Sequence, residues 1–169
     1  MILRFLWGKH TRHIARSTRT IALALACYQF AQSDTLQPAD RKIVDSYIAR
    51  QARQEKGEEY GEARKIATGD LNHDGTPDLA VLYTIEGQGG SNRYVQYLAV
   101  FVRSTAGLQP VARVVAGGKL ERDIDGISVH DNGVDLETMK YGPNDPACCP
   151  SIKGKTRYTL EGRSLKEQK

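Results

Sequence analysis

Nine residues of this chain combine the oxygen ligands and the glycine turn that a hard metal ion needs. Residues 70–78 read Asp-Leu-Asn-His-Asp-Gly-Thr-Pro-Asp. Side-chain oxygens spaced two residues apart can surround Ca²⁺, glycine at position six permits a sharp turn, and position seven can offer its backbone carbonyl. The sequence therefore predicts a calcium site in this loop. The predicted ligands are Asp70, Asn72, Asp74, Thr76 and Asp78.

Two features of the loop narrow the kind of site. A helix–loop–helix calcium site has a glutamate at position twelve, but Val81 stands there, inside an apolar stretch. We expect Asp78 to close the site and His73 to face solvent. The alternative is a metal-free turn in which Asp and Asn side chains accept hydrogen bonds from the loop backbone. Three carboxylates on one loop repel one another unless a cation neutralises them, so we expect Ca²⁺ to bind, with an affinity of about 10⁻⁴–10⁻³ M.

The D-x-N-x-D-G-x-x-D pattern of this loop resembles the calcium loops of FG-GAP and VCBS-type repeats, in which the loop joins two β-strands. Strand-like residues flank it here on both sides, at 64–68 and 79–85. The pattern occurs in a single copy. The resemblance therefore implies the chemistry of the loop, but neither the propeller fold nor the adhesive roles of those repeats.

A second distinctive segment spans residues 141–151 and reads Tyr-Gly-Pro-Asn-Asp-Pro-Ala-Cys-Cys-Pro-Ser. In an oxidising compartment Cys148 and Cys149 are expected to form a vicinal disulfide. Neighbouring prolines stiffen the turn, which favours a rigid clamp; a redox role is the alternative, since strained bridges are more easily reduced. Zinc is disfavoured because no further Cys or His lies nearby to complete four-coordination.

The chain also resembles small bacterial secreted or lipoprotein-type proteins of unassigned function. The resemblance is carried by an N-terminal helix, the calcium-type loop, a tyrosine-rich strand pair and the D-P-x-C-C-P-S motif, over about residues 38–165. It implies export and a similar fold. It implies no activity.

The first 33 residues look like a leader. A basic stretch ends at Arg19 and a short apolar stretch of 14 uncharged residues follows, which is too short to span a bilayer as a helix and fits a secretory signal. Leu-Ala-Cys at 25–27 also resembles the end of a lipoprotein signal, which makes Cys27 a candidate for lipidation, and cleavage near Ala31 is equally compatible. A mitochondrial presequence and an amphipathic first helix are the alternatives.

The charge distribution supports this interpretation. The net charge of the 169 residues is +4, which suggests an acidic partner such as nucleic acid. All five charged residues of the leader are basic, however, so residues 34–169 hold 19 basic and 20 acidic residues, a net charge of −1. The excess positive charge belongs to the leader, and we expect no nucleic-acid partner.

The elements that must position these residues are a helix and several strands. Apolar residues at three- and four-residue spacing predict one helix from about Pro38 to Lys56. Alternating or apolar stretches predict strands at 79–85, 94–102, 110–115, 127–130, 134–139 and 156–160, with a hairpin turn at Asp131-Asn132-Gly133. We expect an α+β fold, with the helix packed on a mainly antiparallel sheet of about five to six strands, as a single domain over residues 34–169.

No enzyme motif emerges from the sequence. Four carboxylates could include an acid–base pair, and four tyrosines could form a stacking platform, although sheet packing is their commoner role. The carboxylates are Glu86, Asp123, Asp125 and Asp135, and the tyrosines are Tyr83, Tyr94, Tyr97 and Tyr158.

The sequence therefore predicts an extracytoplasmic, non-enzymatic calcium-binding domain. It would bind an unidentified protein or glycan at the bacterial cell envelope and contact the membrane only through its leader or a lipid anchor. A small cell-wall or glycan hydrolase, and an inhibitor or immunity-type protein acting through the loop at 87–92, remain alternatives.

Overall fold

The computed structural model describes residues 36–168 of the chain. Within this range one helix precedes nine strands, with single-turn 3₁₀ helices at Gly61–Ala63 and Gln88–Gly90. The helix is α1 (Pro38–Gln54), and the strands are β1 (Glu58–Glu59), β2 (Lys65–Gly69), β3 (Asp78–Glu86), β4 (Tyr94–Ser104), β5 (Gly107–Gly118), β6 (Arg122–His130), β7 (Gly133–Lys140), β8 (Ile152–Glu161) and β9 (Ser164–Gln168).

The α+β fold class predicted from the sequence is wrong. Over residues 36–168 the protein is mostly β, with one helix and nine antiparallel strands in one sheet instead of five to six. The strands that escaped prediction are short or polar. Strand β1 has two residues, and β9 reads Ser-Leu-Lys-Glu-Gln with four of its five residues exposed. Such edge strands bury little apolar surface, only Leu165 of β9 packing against the core, so no hydrophobic alternation marks them.

The strands follow the chain closely in space. The sheet order is β1-β3-β4-β5-β6-β7-β8-β9, and β2 pairs with the same edge of β3 as β1. Strands β5 and β6 are joined through a single register pair, Gly118 with Arg122, so the pairing of the sheet is weakest there. At the same position the β5 backbone lies close to the start of β4. Only glycine fits there, because a Cβ atom on residue 118 would lie 2.8 Å from the carbonyl oxygen of Tyr94.

Strands β3 and β4 lie at the centre of the fold, with both faces covered. On one face Val81, Tyr83 and Phe101 pack with the apolar residues of α1. On the other face Leu82 and Leu98 pack with residues of β5 to β8. This is why residues 79–85 form a continuous apolar stretch where a half-exposed strand would alternate. Each fully buried Leu or Val side chain contributes about 1.5–3 kcal/mol.

The predicted helix is confirmed. Pro38 stands in its first turn, where a missing N–H costs nothing. Val44, Ile48 and Ala52 recur at four-residue spacing and are buried against the sheet. The predicted hairpin turn is confirmed as well, since Asp131 and Asn132 both adopt positive φ between β6 and β7, as a tight two-residue hairpin requires.

Candidate functional site

The predicted calcium loop connects β2 to β3, as the resemblance to strand–loop–strand calcium sites implies. The register pair Gly69–Asp78 closes its base. Gly75, at position six, has a φ of 80°, which glycine adopts without strain. His73 is exposed, as expected, and also has a positive φ.

The loop folds around its own side-chain oxygens. The Asp70 carboxylate accepts hydrogen bonds from the backbone N–H groups of Asp74 at 3.2 Å and Gly75 at 2.9 Å. The Asp74 carboxylate accepts one from the Thr76 N–H at 2.8 Å and one from the Asn72 side-chain amide at 2.7 Å. The amide oxygen of Asn72 in turn accepts from the Asp74 N–H at 3.1 Å. The loop therefore brings Asp70, Asn72, Asp74 and Thr76 together.

These donors favour the charged form of Asp74. The Asn72 amide, followed by the Thr76 backbone N–H, holds the pKa of the Asp74 carboxyl below its usual range. The carboxylate is therefore ionised at neutral pH and stands exposed at the surface of the loop. An exposed, ionised oxygen ligand is what a hard cation needs.

Asp78 differs from the other predicted ligands because it is fully buried. One of its carboxyl oxygens accepts from the Leu71 N–H at 3.0 Å, and the other accepts from the Arg103 N–H at 2.9 Å. Asp78 therefore ties the start of the loop to strand β4. A buried carboxyl group is costly unless hydrogen bonds satisfy it, and here two backbone amides do so.

Residues distant in sequence brace the loop. The Arg103 guanidinium donates to both oxygens of Asp40, at 3.2 and 2.6 Å, and links β4 to the first turn of α1. The Asn132 side-chain amide, at the tip of the β6–β7 hairpin, donates to the Asp70 carbonyl at 2.5 Å. Leu71 is buried in the core behind the loop. Sequence reasoning missed these contacts because no local pattern connects residues 62 or 63 positions apart.

The carboxylates of the loop keep acceptor sites that its backbone leaves open. Over residues 36–168, no group of three or more His, Cys, Asp or Glu side chains is arranged so that it could hold a metal ion. Each carboxylate oxygen of Asp70 and Asp74 accepts one hydrogen bond, and an ionised carboxylate has about four acceptor sites. About half of that capacity remains open.

The segment at residues 141–151 is organised by Asp145. Its carboxylate accepts from the backbone N–H groups of Gly142 at 2.7 Å and Ser151 at 2.8 Å, and from the Ser151 hydroxyl at 2.9 Å. These donors, Gly142 first, hold the pKa of Asp145 below its usual range. Cys148 and Cys149 are exposed on this segment as an adjacent bonded pair, with Cα atoms 3.8 Å apart, closer than in an ordinary disulfide. The vicinal disulfide under cellular conditions stays a prediction.

Most of the singled-out tyrosines serve packing. Tyr83, Tyr97 and Tyr158 are at most 5% exposed, and the Tyr83 and Tyr97 rings stack at 5.3 Å. The Tyr97 hydroxyl donates to Glu55 at the end of α1. Only Tyr94, among the four, lies half-buried beside open space.

That open space is a cleft of about 350 Å³. It lies at the end of β3 near Glu86, whereas the loop at residues 70–78 lies at the beginning of this strand. It brings together three of the four candidate carboxylates. Asp135 does not line the cleft, and its carboxylate forms an ion pair with Arg157 at 2.8 Å. We call this space the tyrosine–carboxylate cleft. The side chains that give it its chemistry are Tyr60, Lys65, Glu86, Tyr94, Asp123 and Asp125.

Gln96 builds the cleft by joining β4 to β6. Its amide oxygen accepts from the Ile124 N–H at 2.9 Å and its amide nitrogen donates to the Ile124 carbonyl at 3.3 Å. This pair of hydrogen bonds fixes the backbone between Asp123 and Asp125. The Tyr94 hydroxyl then donates to Asp123 at 2.5 Å. Burial and this hydrogen bond raise the pKa of Tyr94 above its ordinary value. The sequence did not predict the part played by Tyr60 and Lys65. Tyr60 lies between β1 and the 3₁₀ helix and Lys65 begins β2, and no local motif marks either residue.

The loop proposed as an inhibitory element, residues 87–92, folds back on the chain. Gly87, Gly89 and Gly90 all have positive φ. The Gly89 N–H donates to the Lys56 carbonyl at 3.0 Å, just beyond the end of α1. The loop is therefore anchored at its centre, while Ser91 and Asn92 are exposed.

The leader at residues 1–33, with Cys27, lies outside the described residues. None of the described helices has the length and apolar character needed to cross a membrane. Comparison of the chain with protein-family models, curated proteins and solved structures finds no match.

Proposed function

We propose that this chain is an exported, non-enzymatic calcium-binding domain that acts as a binding module at the bacterial cell envelope. The observation that carries the proposal is the loop at residues 70–78. It joins two antiparallel strands, turns at a glycine with positive φ, and presents an ionised Asp74 next to Asp70 and Asn72. This is the arrangement that its resemblance to FG-GAP-type loops implies.

The proposed calcium ligands are the side chains of Asp70, Asn72 and Asp74, the Thr76 carbonyl and Asp78. Ca²⁺ would neutralise carboxylates that now depend on backbone N–H donors. Because Asp40, Arg103 and Asn132 brace the loop, binding should rigidify a junction between α1, β4 and the β6–β7 hairpin. We therefore assign the ion a structural role.

Calorimetry and a thermal melt of the full chain, with calcium and with a chelator, test this proposal. At ten- to hundredfold excess over Kd, bound ligand should stabilise the fold by about 1–3 kcal/mol. Asp74→Ala should abolish both the binding heat and the stabilisation. Glu161→Gln removes one exposed carboxylate from the β8–β9 hairpin and should change neither. Absence of heat and of a melting shift at millimolar calcium leaves a metal-free Asx turn.

Export and lipidation have their own test. Mass spectrometry of the full chain expressed in a bacterium with an intact secretion system should find the leader removed, either near Ala31 or directly before Cys27. A diacylglyceryl mass on Cys27, lost in Cys27→Ser, would identify a lipid anchor. A full-length, uncleaved cytosolic protein contradicts export.

A glycan hydrolase is the second candidate, and one observation favours it: Glu86, Asp123 and Asp125 line one cleft. Paired carboxylates are the usual machinery of glycoside hydrolysis. Release of reducing ends from cell-wall glycan, lost in both Asp123→Asn and Asp125→Asn, would establish it. Without turnover, binding remains the function.

A further inference from the structure

The tyrosine–carboxylate cleft carries an excess of negative charge. Glu86, Asp123 and Asp125 line it against a single cation, Lys65. None of these four side chains forms an ion pair with another residue of the described range. Elsewhere in that range carboxylates such as Asp40, Glu59 and Asp135 are paired with arginines. The cleft is therefore a place where uncompensated carboxylates face open space together.

The tyrosine hydroxyl groups of the cleft are already used as donors. The Tyr94 hydroxyl donates to Asp123, and the Tyr60 hydroxyl donates to Glu62 at 3.0 Å. The Gln96 amide is engaged on both sides by Ile124. Apart from Lys65 and the Thr84 hydroxyl, the side-chain groups left open toward a ligand are mainly acceptors, the oxygens of Glu86, Asp123 and Asp125.

The rings of two tyrosines complete the lining. Tyr60 is 44% exposed although its ring is large and apolar, and Tyr94 is half-buried. Aromatic faces attract organic cations electrostatically. The volume of about 350 Å³ lies near the lower end of the range for small-molecule sites, roughly 300–1,000 Å³.

We infer that the tyrosine–carboxylate cleft binds a ligand through a protonated primary amine. An ammonium group has three donors and no acceptor, so it matches a site lined by three carboxylates and two tyrosines against one lysine. A neutral sugar also carries acceptor oxygens of its own, and these would face the carboxylates of the cleft with few donors to bond them. The inference needs neither calcium nor export, because the cleft and the loop at residues 70–78 are built from different side chains.

Two amine sources can be distinguished by calorimetry on the full chain. Spermidine represents free polyamines, and tetraglucosamine represents amino sugars. Tetra-N-acetylglucosamine is the matched control, since it keeps the sugar rings and loses the charge. We expect one or both amines to bind, more weakly at high salt, and the acetylated control not to bind. Whichever amine binds more tightly identifies the source.

Variants test whether the amine binds in the cleft. Asp125→Asn and Tyr60→Ala, both at exposed positions, should each weaken amine binding about fivefold. Tyr60→Phe keeps the ring and should retain the affinity, and Glu161→Gln, outside the cleft, should have no effect. Titrations are run with calcium and with chelator, so that a failure of the cleft is separate from a failure of the loop. Equal binding of the acetylated control, no binding of either amine, or affinities unchanged by both cleft variants would overturn the inference.

Discussion

The two ends of strand β3 present carboxylates in opposite ways. At its beginning, the buried Asp78 carboxyl accepts a backbone N–H hydrogen bond on each of its two oxygens. At its end, Glu86 faces a cleft whose other carboxylates have no cationic partner in the described range. Chemically similar side chains therefore stabilise the fold at one end and remain open to solvent at the other.

Burial explains the difference. The loop is tied to the core by Leu71 and Asp78, which are 2% and 0% exposed. Any change there must be accommodated by packed neighbours. In the cleft the apolar rows of β3 and β4 give way to the polar pairs Thr84–Gln96 and Glu86–Tyr94, and the core opens. Such an arrangement separates a site that supports structure from one that can exchange a ligand.

The largest expected effect that tests this contrast is Leu71→Ala. Removing this buried side chain should lower the free energy of unfolding by about 3 kcal/mol, through lost transfer energy and the cavity left behind. Tyr60→Ala in the cleft removes a larger but half-exposed side chain and should cost less than about 1 kcal/mol. Urea unfolding measures both. Similar losses at the two positions would mean that the cleft is as much a part of the core as the loop.

The second test replaces one carboxylate at each end. Asp78→Asn should lower the free energy of unfolding by about 2 kcal/mol, because a neutral amide can accept only one of the two backbone hydrogen bonds and adds an unmatched donor. Asp125→Asn, at an exposed position, should stay within about 0.5 kcal/mol of the wild type. The unfolding midpoints in urea compare them directly. If Asp78→Asn proves neutral, the carboxyl does not serve as a buried clamp.

What the sequence could predict followed from local patterns. The helix could be predicted because Val44, Ile48 and Ala52 repeat at helical spacing. The hairpin turn could be predicted because Asp and Asn tolerate the positive φ that Asp131 and Asn132 adopt. The predicted fold class is wrong because the number of strands depends on the edge strands of the sheet. Strands β1 and β9 are paired through backbone hydrogen bonds to β3 and β8, and polar edge residues carry no periodic signal.

The same distinction applies to the candidate sites. The ligand spacing from Asp70 to Asp78 is local and could be recognised, whereas the bracing by Arg103 and Asn132 joins residues 25 and 62 positions apart. The cleft could not be foreseen, because Tyr60 and Asp123 become neighbours only when β6 folds over the β2–β4 region. Candidate carboxylates could be named from the sequence, but their grouping needed the fold.

The smallest effect concerns pH, and the two ends of β3 should respond on opposite sides of neutrality. Near the cleft, burial and Asp123 raise the pKa of Tyr94. Above the ordinary tyrosine pKa of about 10, the unfolded chain loses this proton while the native state keeps it. The unfolded state then binds fewer protons, so stability falls as pH rises, by at most about 1.4 kcal/mol per pH unit for one group.

In the loop the sign is reversed. The Asn72 amide and the Thr76 N–H lower the pKa of Asp74, so its contribution is present above the ordinary aspartate pKa of about 3.9 and is lost as pH falls. Other groups contribute to each limb, among them Tyr83 and Tyr97 on the alkaline side and Asp145 and Glu167 on the acid side. Thermal melts across pH should therefore show that Tyr94→Phe reduces the slope of the alkaline limb alone and that Asp74→Asn reduces the slope of the acid limb alone. If either variant changes both limbs, the two ends of β3 titrate as one unit and the separation between a structural loop and an exchangeable cleft does not hold.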